Sequence, residues 1–479
     1  MKPILSADET RRAEEAFWVD NPGVDLMARA AAAVAEHARD MIRGRGPQQG
    51  QPVVIVAAGQ GNNAGDALFA AAELEATVLV WAVSDQTHPG GLRAVLKGGG
   101  HLVSRAEAME ALPEATLIID GVAGLGGRRG LSESVERFAA EARRRRIPVL
   151  AVDVPSGLAA DRPTVPAPAF AAQRTVTFIA HKLCQVAAPA ATHCGVVHLV
   201  DIGVPVGDPL VWQVEAHDLA AWYPWPGVAS DKYSRGVVGL DTGSVRYPGA
   251  AMLGAAGALF TGVGMVRHAG DTEVSDRVVQ RWPSVVPGHG RVQAWVVGSG
   301  WQVDEEHREV ARRRLAELCA EDVPMVVDAG ALQVLPDALP AGSLLTPHAG
   351  ELATLLGIER SQVVDDPLSA AREAARRTSA TVLLKGGTQY VVEPHGRVLV
   401  AVAGKAWAAQ AGSGDVLAGA CGALLAAGVR APEAAAVAAS LQALAGAAHP
   451  GPRPPEVLAA SFPEIISGWI STPDRLPTL

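Results

Sequence analysis

The chain is punctuated by short, unbroken apolar runs that end at glycine or at a polar residue. Pro52–Ala58 (PVVIVAA), Thr77–Val83, Leu117–Asp120 (LIID) and Pro148–Asp153 (PVLAVD) recur in the first half. Val237–Leu240, Val292–Val297, Pro324–Asp328, Leu344-Leu345 and Ala380–Leu384 recur in the second. Runs that do not alternate with polar residues suit strands buried on both faces of a parallel sheet. Between them the apolar positions follow a helical period. Leu5–Ala16 is predicted as a helix capped by Ser6, Val24–Ala38 as an alanine-rich second, Arg43–Gln51 as a polar loop, and a third helix from Ala67 onward. Gly249–Val266 is uncharged, but it is rich in glycine and ends at Arg267-His268, which predicts a buried helix and then a buried strand rather than a membrane span. The pattern breaks over Val206–Ser230, with Pro209, Pro224, Pro226 and three tryptophans. The division expected is therefore a domain over 1–210, a linker over 211–230 and a second domain over 231–479. Both are of the α/β class.

The chemistry gathers at the ends of the predicted strands, the edge where open parallel sheets bind ligands. The first run leads into Gly59-Gln60-Gly61-Asn62-Asn63-Ala64-Gly65-Asp66, the layout of a phosphate-binding turn. A structural turn explains the glycines but not Asn62, Asn63 and Asp66 together. Asp120 and Asp153 end two further strands, and Ser156 follows the second. Two acids, asparagine carbonyls and a hydroxyl could hold a hard cation; each acid could instead cap the next helix, but suitable groups at three strand ends favour the site. In the second half, His348 precedes Glu351 by one helical turn, and Lys385 lies between a strand and two glycines, a position suited to phosphate contact. Ala411–Gly419 (AGSGDVLAG) reads as a glycine-rich loop opening a helix whose free N–H groups face an anion, with Asp415 placed to take a proton from a neighbouring hydroxyl.

Composition narrows the classes. The net charge of −9 and the absence of a long basic run exclude dedicated nucleic-acid binding. Arg143–Arg146 fits a solvated helix end. Four cysteines without CxxC spacing read as reduced thiols. The first residues lack the apolar stretch of a signal peptide, so a cytoplasmic protein without a membrane partner is expected.

GQGNNAGD, LIIDGVAGLGGRRG and AVDVPSG resemble, in order, three signature loops of the NAD(P)H-hydrate epimerase domain, over about Leu5–Gly203. The resemblance implies a Rossmann-like fold, interconversion of the R and S epimers of hydrated NADH and NADPH, and a bound potassium ion. It implies substrate contacts from Asn62, Asn63, Ala64, Gly65, Asp66, Gly124, Leu125, Gly126, Gly127, Arg128, Arg129 and Gly130. Asn63, Asp120 and Ser156 would hold potassium, and Asp153 would touch substrate as the acid or base. The chain departs from that family at Ala64 and Ala67, which replace glycines, and at Leu183, where proline is usual. The added methyls are harmless at negative φ; at positive φ they would leave a first domain that binds without catalysing.

KYSRGVVGL, YPGAA, VVGSG, VVDAGAL, TPHAGEL, LLKGGT and AGSGDVLAG are similar, in order, to the ADP/ATP-dependent NAD(P)H-hydrate dehydratase of the ribokinase-like superfamily, over about Asp231–His449. Ser299 stands where that family usually has proline. The resemblance implies that Ala250, Gly300, His348 and Asp415 contact the hydrated nucleotide, with Asp415 catalytic. Lys385, Gly386, Gly387, Thr388, Gln389 and Gly414 would contact ADP, or ATP, carried with magnesium. The fused architecture points to ADP, with AMP and phosphate released; a homo-oligomer is expected. The GxGD turn alone would serve a small-molecule kinase equally well; TPHAGEL and the whole first half would then go unexplained.

Overall fold

The computed structural model describes residues 1–45, 50–126, 130–404 and 406–471. They form two compact units, Pro3–Pro209 and Leu210 onward together with Met1–Lys2. The stretch expected as a linker belongs to the second unit. Val211–Gln213 pairs with Val398–Val400 as a sheet strand, and Ala216–Trp222 is a helix. Prolines that break helical periodicity do not prevent a three-residue strand from adding to a sheet.

In the first unit, seven parallel strands run edge to edge as His101–Val103, Thr77–Ala82, Val53–Ala58, Ala115–Gly121, Val149–Val152, Arg174–Phe178 and Val196–Val200. The chain winds outward from Val53–Ala58 to one edge and then crosses to Ala115–Gly121, the strand order of a Rossmann-like sheet. The switch point between these two strands is where such a sheet opens a crevice. Both faces are covered. Val54, Val56, Leu117 and Ile119 pack with the helices Leu26–Arg43 and Asn62–Ala72, while Ile55, Ala57 and Ile118 pack with Phe138 of the helix Glu133–Arg144. The arginine run closes that last helix in solvent, with Arg144 and Arg145 paired to Glu141.

The helix expected from Ala67 begins five residues earlier, at Asn62. Asparagine and glycine are poor helix formers, which hid the start; Gly61, at φ +78°, supplies the turn instead. Ala64 and Ala67 are therefore helical, outside the residues at positive φ, and fully buried in the core. The Ala67 methyl and the Ala64 backbone lie against Gly121, where an added Cβ would come within 2.5 Å of the Ala67 Cβ.

In the second unit, the sheet runs Val211–Gln213, Val398–Val400, Tyr390–Val392, Thr381–Leu384, Leu344–Leu345, Met325–Val327, Ala294–Val297, Val237–Asp241, Met265–His268 and Val286–Pro287. Tyr390–Val392 is antiparallel to both its neighbours; the rest pair in parallel. This is the α/β layering of the ribokinase-like class. The uncharged stretch folds as the helix Pro248–Thr261 followed by the strand Met265–His268. Among the described residues no helix is long and apolar enough to cross a membrane. The helices Pro248–Thr261 and Ser413–Ala426 touch main chain to main chain. A Cβ on Gly257 would lie 2.0 Å from the Val416 carbonyl oxygen, and one on Gly419 would lie 2.0 Å from that of Gly254. Glycine is required at that crossing, and the crossing fixes the height of Asp415 above the sheet.

Candidate active sites at two sheet edges

At the switch point of the first unit lies a cleft of about 620 Å³. Asn62, Asn63 and Asp66 line it from one face of their helix, as residues three and four apart must. Gly124, Leu125, Gly126 and Asp153 line it from the strand-end loops. Three expected contacts fall elsewhere. Ala64 turns into the core, a Cβ on Gly65 would meet Met27 and His88, and Gly130 sits beside Gly157 and Ala167. The helical phase explains the first two. Gly127, Arg128 and Arg129 lie outside the described residues.

Asp153 is held under strain at φ +62°. Its N–H donates to Val176 O at 2.7 Å, and Gln185 Nε2 donates to its carbonyl at 2.6 Å. Its Oδ1 accepts from Lys182 Nζ at 2.7 Å and from Thr177 Oγ1 at 2.9 Å. Lys182 is wholly buried, with further bonds to Thr177 and Phe178 O. Leu183, the departure from proline, opens the short helix Leu183–Val186 without disturbing this clamp. Glu14 and Lys182 also line the cleft. Burial, reinforced by the charges of Asp153, Glu14 and Asp25, pushes the Asp66 carboxyl up to about 8. Burial and Asp153 raise Glu14 too.

Asp120 and Ser156 lie beneath the cleft, both buried. Asp120 accepts from Ser156 Oγ at 2.6 Å, Ser156 N at 2.8 Å and Val122 N at 3.2 Å. A Cβ on Gly124 would sit 2.9 Å from Asn63 Oδ1, so the asparagine borders the same loop. These are neutral donors around a fully buried carboxyl, and burial lifts it to about 6. An oxygen-rich set around an uncompensated acid has the donor chemistry that suits a hard cation.

In the second unit, Asp415 lies in the first turn of Ser413–Ala426, whose N-cap Gly412 is left-handed at φ +89°. Beside it is a hub that sequence reading passed over. Asp328, at the end of Met325–Val327, accepts on Oδ1 from Lys385 Nζ at 2.7 Å and Thr346 Oγ1 at 2.8 Å, and on Oδ2 from Ser299 Oγ at 2.8 Å. Burial and the charge of Asp328 push Asp415 up to about 6 against the pull of Lys385 and the polar side chain of Ser299. Burial works against the charge on Lys385, but Asp328, Glu351 and Asp415 together hold it above the usual lysine range.

Lys385 to Gln389 form the turn between Thr381–Leu384 and the antiparallel Tyr390–Val392; Gly386 and Gly387 are exposed and Thr388 is buried. Lys385 N–H donates to Pro347 O, which sets the lysine beside His348, and a Cβ on Gly414 would lie 3.4 Å from Lys385 Nζ. His348 caps the helix Ala349–Leu356. Its Nδ1 accepts from Gly350 N and Glu351 N, while its own N–H donates to Glu351 Oε2. That assigns the ring proton to Nε2 on the exposed side, as a donor. Gly300 packs against Ala250 at the start of Pro248–Thr261, where a Cβ on Gly300 would be 2.8 Å from the Ala250 methyl.

Lys182, Glu14 and Asp328 are the residues that sequence reading left without a role. Asp328 carried a signal: like Asp120 and Asp153, it is an acid that ends a buried strand. Lys182 carried a weaker one, a lysine within an apolar stretch.

A family model described as NAD(P)H-hydrate dehydratase matches residues 238–467, and one described as YjeF-related protein N-terminus matches residues 23–184. The chain is 41% identical over 453 residues to the bifunctional NAD(P)H-hydrate repair enzyme Nnr of Mycobacterium tuberculosis, covering 91% of this chain and 92% of that one. It is 40% identical over 471 residues to the protein of the same name from Mycobacterium leprae, covering 94% and 96%. A solved Bacillus subtilis structure, described as an ADP/ATP-dependent NAD(P)H-hydrate dehydratase co-crystallized with ATP/Mg2+, is 22% identical with a TM-score of 0.49, covering 53% of this chain and 97% of its own.

Proposed function

Since the chain belongs to the bifunctional NAD(P)H-hydrate repair enzymes, with an epimerase half and a dehydratase half, we propose how its two sites divide the work. The observation that carries the reading is the same in both units: an acid at the end of a buried strand or the start of a helix, with a buried or half-buried lysine beside it.

In the first unit, epimerisation moves a hydroxyl from one face of the hydrated ring to the other. Loss of water from the ring needs a proton donor, and its return on the opposite face needs an acceptor. Asp66, protonated at neutral pH, is the donor. Asp153, oriented by Lys182 and Thr177, is the acceptor. Asn62, Asn63 and the Gly124–Gly126 backbone hold the nucleotide, with the helix N-terminus toward its phosphates. Asn63, Asp120 and Ser156 would hold potassium, which would supply a positive charge beneath these loops and keep Asp120 ionised.

In the second unit, hydroxide is a poor leaving group, so the ring hydroxyl of the S-hydrate is first phosphorylated. Asp415 takes the hydroxyl proton as the oxygen attacks the terminal phosphorus of ADP. The bond to the leaving phosphate oxygen breaks and AMP departs. The ring then expels phosphate and loses a neighbouring proton, which restores the reduced nicotinamide. The amides at Ser413-Gly414 and the ammonium of Lys385 stabilise charge on the transferred group. His348 donates from Nε2 to the hydrated nucleotide, Ala250 and Gly300 leave room for its ring, and the Lys385–Gln389 turn holds ADP. Magnesium would come with the nucleotide phosphates and neutralise them. A homo-oligomer in the cytoplasm completes the proposal.

The test uses NADPH hydrate containing both epimers, following recovery of reduced-nicotinamide absorbance with ADP, with ATP and with neither. Full recovery with ADP is expected. Recovery of the S portion alone would sink the epimerase assignment, and no recovery with either nucleotide would sink the dehydratase assignment.

A further inference from the structure

Three separate segments of the second unit carry proposed ligand contacts: the loop 298–300, the strand end 346–348 and the turn 385–389. Each sends one polar side chain to the same carboxylate. Lys385 Nζ and Thr346 Oγ1 donate to Asp328 Oδ1 at 2.7 and 2.8 Å, and Ser299 Oγ donates to Oδ2 at 2.8 Å. Asp328 itself is 2% exposed, so it acts on a ligand only through these three neighbours.

Ordinary structural duties do not account for the acid. It does not cap the short helical turn Ala329–Gln333 that follows it. Taking a carboxylate out of water to pair it with a lysine adds little stability over apolar side chains of the same shape. Its main chain is nevertheless pinned. Asp328 N–H donates to Val297 O at 3.0 Å, and a Cβ on Gly298 would lie 2.1 Å from Asp328 O. The next residue, Ala329, is held in the left-handed region at φ +46°, a strain that a residue with a side chain adopts only when its surroundings impose it.

The lysine has a choice of partner. A Cβ on Gly414 would lie 3.4 Å from Lys385 Nζ, at the helix start, while Glu351 Oε2 lies 3.9 Å from the same ammonium. The shorter bond to Asp328 decides between the two, and a lysine on its flexible stem has no such preference of its own.

We propose that Asp328 is a positioning residue of the dehydratase site: it holds the Lys385 ammonium beside Gly414, where the transferred phosphoryl group passes, and through Ser299 and Thr346 it ties the two hydrate-facing segments to the same point. One carboxylate thereby sets the separation of the ADP turn from the loops that carry Gly300 and His348, and in-line transfer depends on that separation. The inference rests on the reading of Lys385 as the group that meets the phosphoryl charge.

The test uses the full-length protein with S-hydrate and ADP. Asp328→Asn keeps the shape, removes the charge and sets an NH2 group against donors. It is expected to lower kcat about 10²-fold with KM for both substrates within about threefold. Lys385→Met is expected to lose at least as much. The double variant should be no slower than Lys385→Met alone, because the acid works through the lysine. A merely structural acid would instead multiply the two losses. Thr346→Val removes one of the three bonds and leaves the ion pair in place; about a fivefold fall in kcat is expected, restored by Thr346→Ser. Thermal shift by ADP, together with unchanged R-to-S interconversion, checks that each variant is folded. Wild-type kcat in a folded Asp328→Asn overturns the proposal, as do losses that multiply in the double variant. Should Asp328→Asn not fold, wild-type kcat in Thr346→Val overturns it. Wild-type activity of Lys385→Met would instead overturn the lysine's role on which the proposal rests.

Discussion

Both units set an acid beside a lysine at a sheet edge, buried in the first and half-buried in the second, but they use the lysine differently. In the first, Lys182 grips the proposed acceptor itself, with Thr177 on the same carboxyl oxygen. In the second, Lys385 grips Asp328, and the proposed base Asp415 stands one step away. The first arrangement fixes a carboxylate in place under a strained backbone. The second separates holding charge from handling protons. That difference suits the two reactions. Epimerisation takes one proton from Asp66, gives one to Asp153 and leaves no net charge on the substrate. Phosphoryl transfer builds charge on an incoming group, which the lysine must meet while the base stays free.

The largest effect expected is from Asp415→Asn, which should cut ADP-dependent recovery by about 10³-fold or more while R-to-S interconversion, followed by chromatography of the hydrates, is unchanged. Loss of both activities would break the picture of two independent sites. Next, Asp153→Asn should slow interconversion by about 10²- to 10³-fold, so that only the S portion is recovered quickly. Retained interconversion would move the acid–base role to another group.

The pH profiles should then run in opposite senses. Dehydration needs Asp415 ionised, so its kcat should rise through about pH 6, while epimerisation needs Asp66 protonated and should fall through about pH 8. Each limb should change about tenfold per pH unit. Profiles that rise together would sink the donor role of Asp66. Replacing potassium by tetramethylammonium, which is too large for the Asn63–Asp120–Ser156 set, should slow only the epimerase, by several-fold. An equal effect on dehydration would point to general ionic strength.

The smallest effect concerns stability. Asp66 is raised from 3.8 to about 8, so the folded first unit binds more protons than the unfolded chain between those values, and its stability falls as pH rises through that window. Asp66→Asn should flatten the slope, seen as a higher melting temperature above neutral pH. An unchanged slope would locate the titrating group elsewhere.

Much of this was legible in the sequence because parallel strands leave unbroken apolar runs, and those runs located nearly every strand that carries a site residue. The acids at their ends marked the sites. What stayed hidden had physical causes. The helix at Asn62 starts on residues of poor propensity, and only its glycine cap and its packing on Gly121 make it helical there. The strand Val211–Gln213 is too short to show a period. Whether Ala64 and Ala67 were tolerable depended on the sign of φ, which residue identity does not determine. Asp328 and Lys182 act through neighbours distant in sequence, so their partners could not be read from spacing. Ser299 looked like a mild replacement until its hydroxyl was found on the buried Asp328.

The crossing of Pro248–Thr261 with Ser413–Ala426 has a consequence for how this chain can vary. Side chains at most helix contacts can trade volume with one another, so a lineage may drift through compensating pairs. Where peptide groups touch directly there is nothing to trade. Gly257 and Gly419 never meet a substrate, yet a single methyl at either would pry the helices apart and carry Asp415 with them. Their mutational tolerance should therefore match that of the acid they support, and in a scan for activity they would score as though they were part of the chemistry.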